Sequence, residues 1–131
     1  IKNLNLCDTI GVANPAQVRE TIAEIQQTFP NLTLEIHIHD TRNMGMVNTL
    51  AAIESGIKIA QTTLGGLGGC PFAPGASGNL ATEDLVHMLT EMDYQTGIDV
   101  PKLIEAAKFE SELIDGIYSG HLYKIENAII H

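Results

Sequence analysis

Hydrophobic and polar positions along the chain fall into two repeating patterns. The stretch "LTLEIHIHD", residues 32–40, alternates with a period of two, as a strand with one buried face does. A shorter run, "NLNLCD" at 3–8, ends in Asp8-Thr9 and reads as the strand before it. Between them, Asn14-Pro15 has the form of an N-cap with proline at the first helical position, and Val18, Ile22, Ile25 and Phe29 recur at helical spacing until Pro30. Strand, loop and helix then repeat. Val47, Leu50, Ala51 and Ile53 mark a second helix stopped by Gly56, and "IKIAQTTL" at 57–64 marks a third strand. Beyond the glycine-rich loop "GGLGGCPFAPGASGN", Leu85, Met88, Leu89 and Met92 share one helical face. Asp99-Val100-Pro101 opens a last helix carrying Leu103, Ala107 and Ile114.

Strands alternating with helices through short connections predict a parallel α/β sheet. Right-handed crossovers place successive helices on one face, so the other face is left bare. Parallel sheets are covered on both sides, which leaves two architectures: a doubly wound sheet whose order reverses, or a sector of a (β/α)8 barrel. A whole barrel needs about 250 residues, and the chain has 131.

Composition narrows the partners. A net charge of −9 with seven Lys and Arg argues against nucleic acid, whose phosphates require a basic patch. Divalent cations suit it better. No apolar run reaches the roughly 20 residues that span a bilayer, and "IKNLNLCDT" has no signal-peptide pattern, so no membrane partner and a cytoplasmic location are expected. Two cysteines, Cys7 and Cys70, make no disulfide framework and point to a reducing compartment.

The candidate chemistry gathers at the carboxyl ends of the strands, where parallel α/β proteins keep their sites. Asp8 closes the first strand, His37 and His39 close the second, and the loop with Cys70 and Asn79 leaves the third. Strand residues two apart share a face about 6.5–7 Å apart at Cα, so the two imidazoles can converge on one ion. Asn79 offers a carbonyl oxygen; Asp40 points to the opposite face from the pair. The plainer alternatives are that the histidines are ordinary strand residues and that Asp8 hydrogen-bonds its own turn. Cys70 lies among glycines in a loop made structured by Pro71 and Pro74, where a thiol can serve as nucleophile or proton donor. Glu83, in the first turn of a helix, has helix-dipole complementarity as its simpler reading. Cys7, opposite in parity to Asp8, is expected to face the helices as a buried thiol. His87, His121 and His131 have no partner pattern and are expected at the surface.

The segments "DTIGVANP", "HIHDTRNMGMVNTLAAIESG" and "GGLGGCPFAPGASGNLATEDLVHML" together resemble the C-terminal portion of the 3-hydroxy-3-methylglutaryl-CoA lyase family, over roughly residues 4–115. The resemblance implies the C-terminal sector of a (β/α)8 TIM barrel with about three parallel strands and four helices, incomplete as an isolated chain. Residues 1–115 would be the partial barrel and 116–131 a tail or short helix. It implies His37, His39 and Asn79 as ligands of a divalent cation, Mg²⁺ or Mn²⁺. It further implies Cys70 as the acid that protonates an acetyl-CoA enolate, and Asp8 and Glu83 as catalytic acidic residues, with His37 sharing in proton transfer. The implied reaction is retro-Claisen cleavage of a 3-hydroxyacyl-CoA. Two departures stand out. The family's Asp-Arg pair on the first barrel strand has no counterpart here, so the implied partner is the missing N-terminal barrel half or a self-associated copy. Arg42-Asn43 stand where the family has an aromatic residue and a glycine, which bears on acyl specificity.

Overall fold

The computed structural model describes residues 1–69, 75 and 78–125, which divide into two compact units, 1–61 with Gly75 and 62–69 with 78–125. The first unit holds a three-stranded parallel sheet in the order 1-2-3, made of β1 (Asn3–Asp8), β2 (Thr33–Ile38) and β3 (Ile59–Gln61). The third strand is shorter than the 57–64 expected from its sequence: pairing begins only at Ile59, after the buried Ile57, and a 3-10 turn opens at Leu64.

Helix α1 (Pro15–Thr28) starts where the sequence places it, behind a reciprocal cap. The Asn14 side chain accepts from the Gln17 N–H and the Gln17 side chain accepts from the Asn14 N–H, each at 3.0 Å. Helix α2 (Gly45–Glu54) has no such cap of its own. Asp40 Oδ1 instead accepts from the Gly45 N–H at 2.6 Å, and a Cβ at position 45 would lie 2.8 Å from that oxygen. Val18 and Ile22 of α1, Leu34, Ile36 and Ile38 of β2, and Ala51 and Ala52 of α2 form one core, with Leu4 and Leu6 of β1 packed against it. The face of α2 that meets this core is rotated from its apolar pattern: Val47 is 41% exposed while Asn48 is fully buried. The cause is polar, since Asn48 Nδ2 donates to the Ala13 carbonyl at 2.9 Å.

Within the first unit no helix among the described residues covers the opposite face of the sheet, as crossover handedness requires, and that face is not apolar. Asn3 and Gln61 donate to the two oxygens of Glu35 at 3.3 and 3.1 Å, and Asn5 donates to Gln61 at 3.0 Å. Cys7 belongs to this face and not to the helix side. It pairs in register with His37, whereas Asp8 pairs with Ile38, and it is exposed. The parity argument fails because Asp8 shares the helix-side face of Leu4 and Leu6, its carboxylate turned into the loop that leads to α1.

In the second unit, α3 (Thr82–Glu91) packs on α4 (Val100–Leu113) through Val86, Val100 and Ile104. Asp99 caps α4 by accepting from the Lys102 N–H at 3.1 Å. The segment after α4, read from sequence as a tail, is hydrogen-bonded to the glycine-rich loop: Gly68 N–H donates to the Ile117 carbonyl and Gly120 N–H to the Gly65 carbonyl. No helix among the described residues is long and apolar enough to cross a membrane.

These packing roles separate experimentally. Ile22 is fully buried and Val47 is not. Ile22→Ala should cost about 2–5 kcal/mol of unfolding free energy in urea. Val47→Ala, though it too removes one of the four residues of a helical stripe in the sequence, should stay within about 0.5 kcal/mol. Equal losses would contradict this assignment of the core.

Candidate active site

Because Leu34, Ile36 and Ile38 fill the helix side of β2, His37 and the following His39 take the other side. Their rings meet edge to face, with centroids 5.0 Å apart and an interplanar angle of 78°. The two Nε2 atoms are 3.1 Å apart. That distance suits an N–H···N bond between neutral rings. It also suits a chelate, since two cis ligands about 2.1 Å from an octahedral ion stand about 3.0 Å apart. His39 is buried, and burial lowers its pKa, with His37 acting in the same direction and the Asp8 charge opposing. A neutral imidazole with an available lone pair is the form a metal requires. Among the described residues neither Nδ1 has a hydrogen-bond partner, and no group of three His, Cys, Asp or Glu side chains converges as a metal cluster. The histidines therefore fit two positions of a coordination shell and leave the others to further groups.

Asp8 shows the turn-forming role. Its Oδ1 accepts from the Val12 N–H and its Oδ2 from the Ala13 N–H, both at 3.0 Å. The loop it shapes is pressed against the end of β2. Gly11 has φ +63°, and a Cβ there would lie 2.9 Å from both the His39 carbonyl oxygen and the Thr41 Cβ. Arg42 Nη1 crosses to the Ile10 and Gly11 carbonyls at 3.1 Å each. Asn43, at φ +57°, closes the turn by donating to the Asp40 carbonyl at 3.0 Å.

The second unit positions Asn79 and Glu83. The Asn79 amide donates to the Leu67 carbonyl at 2.9 Å, which fixes the nitrogen end and leaves the carbonyl oxygen as the end that Leu67 does not engage. The Asn79 backbone carbonyl accepts from the Ser119 hydroxyl at 2.8 Å. Glu83 does more than complement the dipole of α3. It is fully buried, its Oε2 accepts from the Gly65 N–H at 3.0 Å, and its Oε1 has no partner among the described residues. Burial raises its pKa, against the backbone hydrogen bonds that lower it and with Asp84 and Glu110 adding to the rise. Asp84, which sequence reasoning passed over, accepts from the His121 N–H, His121 Nδ1 and the Leu122 N–H at 2.8, 2.9 and 2.9 Å. His121 is thus exposed, as expected, but not without a partner. His87 is only partly exposed, with its Nδ1 buried. No sequence spacing links residue 84 to residue 121. Cys70 and His131 lie outside the described residues.

The HMGL-like family profile matches residues 1–109. The chain belongs to the HMGL-like family. It is 47% identical over 112 residues to the hydroxymethylglutaryl-CoA lyase of Bacillus subtilis, covering 86% of this chain and 38% of that protein. It is 44% identical over 106 residues to the mitochondrial hydroxymethylglutaryl-CoA lyase of Homo sapiens, covering 81% and 33%. The solved structure of an HMG-CoA lyase from Acinetobacter baumannii in complex with coenzyme A and 3-methylmalate superposes with a TM-score of 0.87 at 43% identity, covering 100% of this chain and 43% of that one. The chain thus spans about two fifths of the length of these relatives.

Within the HMGL-like family, the unreversed parallel sheet and its helices are a sector of a (β/α)8 barrel, and the doubly wound alternative falls away. Asp8, His37 and His39 stand together in one unit of this sector, and Asn79 and Glu83 in the other.

The raised pKa of Glu83 has a stability consequence of fixed sign. A carboxyl whose folded pKa exceeds its ordinary value of 4.5 contributes stability that is fully present below that value and is lost as pH rises through the folded pKa. Glu83→Gln keeps an acceptor for the Gly65 N–H and removes the titration. Its melting temperature should therefore gain on the wild type as pH rises above 4.5. Parallel melting profiles for the two proteins would show that Glu83 is not held protonated by burial.

Proposed function

We propose that this chain is the histidine- and thiol-bearing sector of a carbon–carbon lyase of the hydroxymethylglutaryl-CoA lyase type, which cleaves a 3-hydroxyacyl-CoA into acetyl-CoA and a keto product. The observation that carries the reading is the Nε2 pair, 3.1 Å apart at the carboxyl end of the middle strand. In this reading His37, His39 and Asn79 hold a divalent cation, Mg²⁺ or Mn²⁺. Such an ion, when bound, acidifies a substrate hydroxyl and offsets negative charge that develops on oxygen.

The chain's own residues then move one proton. Asp8 accepts it from the tertiary hydroxyl, with His37 sharing in the transfer. The C–C bond breaks, its electron pair passing to the thioester to give an enolate, while the former hydroxyl carbon becomes a ketone. Cys70 donates its thiol proton to the enolate carbon, and the proton taken from the hydroxyl restores the thiol. Glu83, favoured in its neutral form by burial, is a hydrogen-bond donor to this sequence of steps. A free thiol at Cys70 needs a reducing compartment, which supports a cytoplasmic location. Two imidazoles and an amide lack the carboxylate ligand, so the chain by itself should bind a divalent ion and turn over weakly or not at all.

Two measurements test this. Mn²⁺ titration of the chain, followed by water-proton relaxation, should show binding that His39→Ala abolishes; no binding by the wild type would remove the reading. A chimera placing this chain in the corresponding part of the Bacillus subtilis relative should release acetoacetate from hydroxymethylglutaryl-CoA. Cys70→Ala and His37→Ala should each lower the rate by about 10²-fold or more, the scale of removing a proton-transfer group. An inactive chimera that folds and binds metal would rule out the lyase assignment.

A further inference from the structure

The segment that follows α4 is more than a connection, because its polar groups converge on one residue of the candidate chemistry. Asn79 is held at both ends. Its side-chain amide donates to the Leu67 carbonyl at 2.9 Å, and its backbone carbonyl accepts from the Ser119 hydroxyl at 2.8 Å. The fit around it is close. A Cβ at position 68 would lie 2.6 Å from Asn79 Nδ2, and one at position 66 would lie 2.9 Å from the Asn79 carbonyl oxygen and overlap the Ser119 hydroxyl.

The strap formed by residues 117–122 also holds the loop that engages the Asn79 amide. Gly68 N–H donates to the Ile117 carbonyl at 3.1 Å, and Gly120 N–H donates to the Gly65 carbonyl at 2.8 Å, one bond on each side of Leu67. Three of the four residues 65–68 are glycines with positive φ, so the loop has few side chains of its own to pack and takes its shape from the bonds made to it. The strap is fastened in turn by Asp84, in the first turn of α3, which accepts from the N–H groups of His121 and Leu122 at 2.8 and 2.9 Å. Support therefore runs from α3 through the strap to Asn79, all of it within the second unit. Ser119 makes the last link. Its 2.8 Å bond to Asn79 is the shorter of two, the other reaching the Gly66 carbonyl at 3.4 Å.

Resting on the lyase reading above, in which Asn79 is a ligand, we propose that Ser119 is a positioning residue for Asn79. It acts through the Asn79 backbone and not on the ion or the substrate. A ligating side chain has to be held within about 0.5 Å of its productive place by groups outside the coordination shell. The Leu67 carbonyl orients the Asn79 amide, and Ser119 fixes the backbone from which that amide extends.

Spectra of the ¹⁵N-labelled full chain without metal read the Asn79 side-chain amide directly, as the pair of resonances that Asn79→Ala removes. Ser119→Ala should move that pair, and Ser119→Thr, which keeps the hydroxyl, should return it to its wild-type position. Asp84→Ala, which frees the strap from α3, should move it as well. Mn²⁺ titration of the same samples gives the second readout. Ser119→Ala should weaken binding about tenfold, the scale of losing a group that orients a ligand, and should cost nothing further in the Asn79→Ala background, as for two residues that act as one unit. An amide pair that Ser119→Ala and Asp84→Ala leave in place, or a loss of Mn²⁺ affinity that persists in the Asn79→Ala background, overturns the proposal and leaves the strap as packing. A moved pair in a chain that binds no Mn²⁺ keeps the positioning role and removes the lyase reading; an unmoved pair in a chain that binds Mn²⁺ does the reverse.

Discussion

The alternation of side chains along β2 is the constraint on which the rest of the first unit depends. Burying Leu34, Ile36 and Ile38 against α1 and α2 obliges Glu35 and the two histidines to face the other way. A slip of one residue would put the imidazoles in the core and three aliphatics on the open face. Each of those aliphatics contributes about 1.5–3 kcal/mol when buried, so the register is held by several kcal/mol. The contact between the imidazoles is worth far less. The histidine pair is therefore aimed by a core to which it does not belong.

Strands can aim side chains through their aliphatics, but the loops at their ends have few apolar groups to work with. They are held by polar side chains that satisfy backbone groups instead. Asp8 takes two loop N–H groups, and Asn48 and Arg42 donate to three loop carbonyls. The second unit uses the same device. Glu83 takes the Gly65 N–H, Asp84 takes two N–H groups at 121 and 122, and Ser119 donates to the Asn79 carbonyl. Charged residues near the candidate chemistry thus have structural duties that can be stated independently of catalysis. For Asp8, both carboxylate oxygens are already engaged by its own loop.

This division explains what could be read from the sequence. The elements announce themselves locally: the Asn14-Pro15 cap, the Asp99 cap and the alternation of 32–40 each depend on neighbours within a few positions, and each element formed. The histidine pair was legible for the same reason, since a spacing of two fixes a shared face. What failed was inference that needed a distant partner. The orientation of Cys7 turned on whether Asp8 faced its own loop or the sheet's open side, and parity alone does not say which. The make-up of the open face also lay beyond local reading: Asn3, Asn5, Glu35 and Gln61 bond to one another across three strands, a pattern set by register. Asp84 and His121 are 37 positions apart, and only the fold brings them together.

Protonation at the two ends of the chemistry follows from a competition whose outcome differs in kind. A net charge of −9 places a negative potential around Glu83 and His39 that favours the proton-bearing form of each. For Glu83 that bias and burial act together, and the acid is pushed toward its neutral form. For His39 they are opposed: the nearby Asp8 charge favours the imidazolium, and burial with the neighbouring imidazole favours the free base. Burial is the largest effect in both cases. Local desolvation, more than the charge of the chain as a whole, therefore sets the direction in which each of these two groups is shifted. The same physical cause shifts His39 toward the free base in one unit and Glu83 toward the neutral acid in the other.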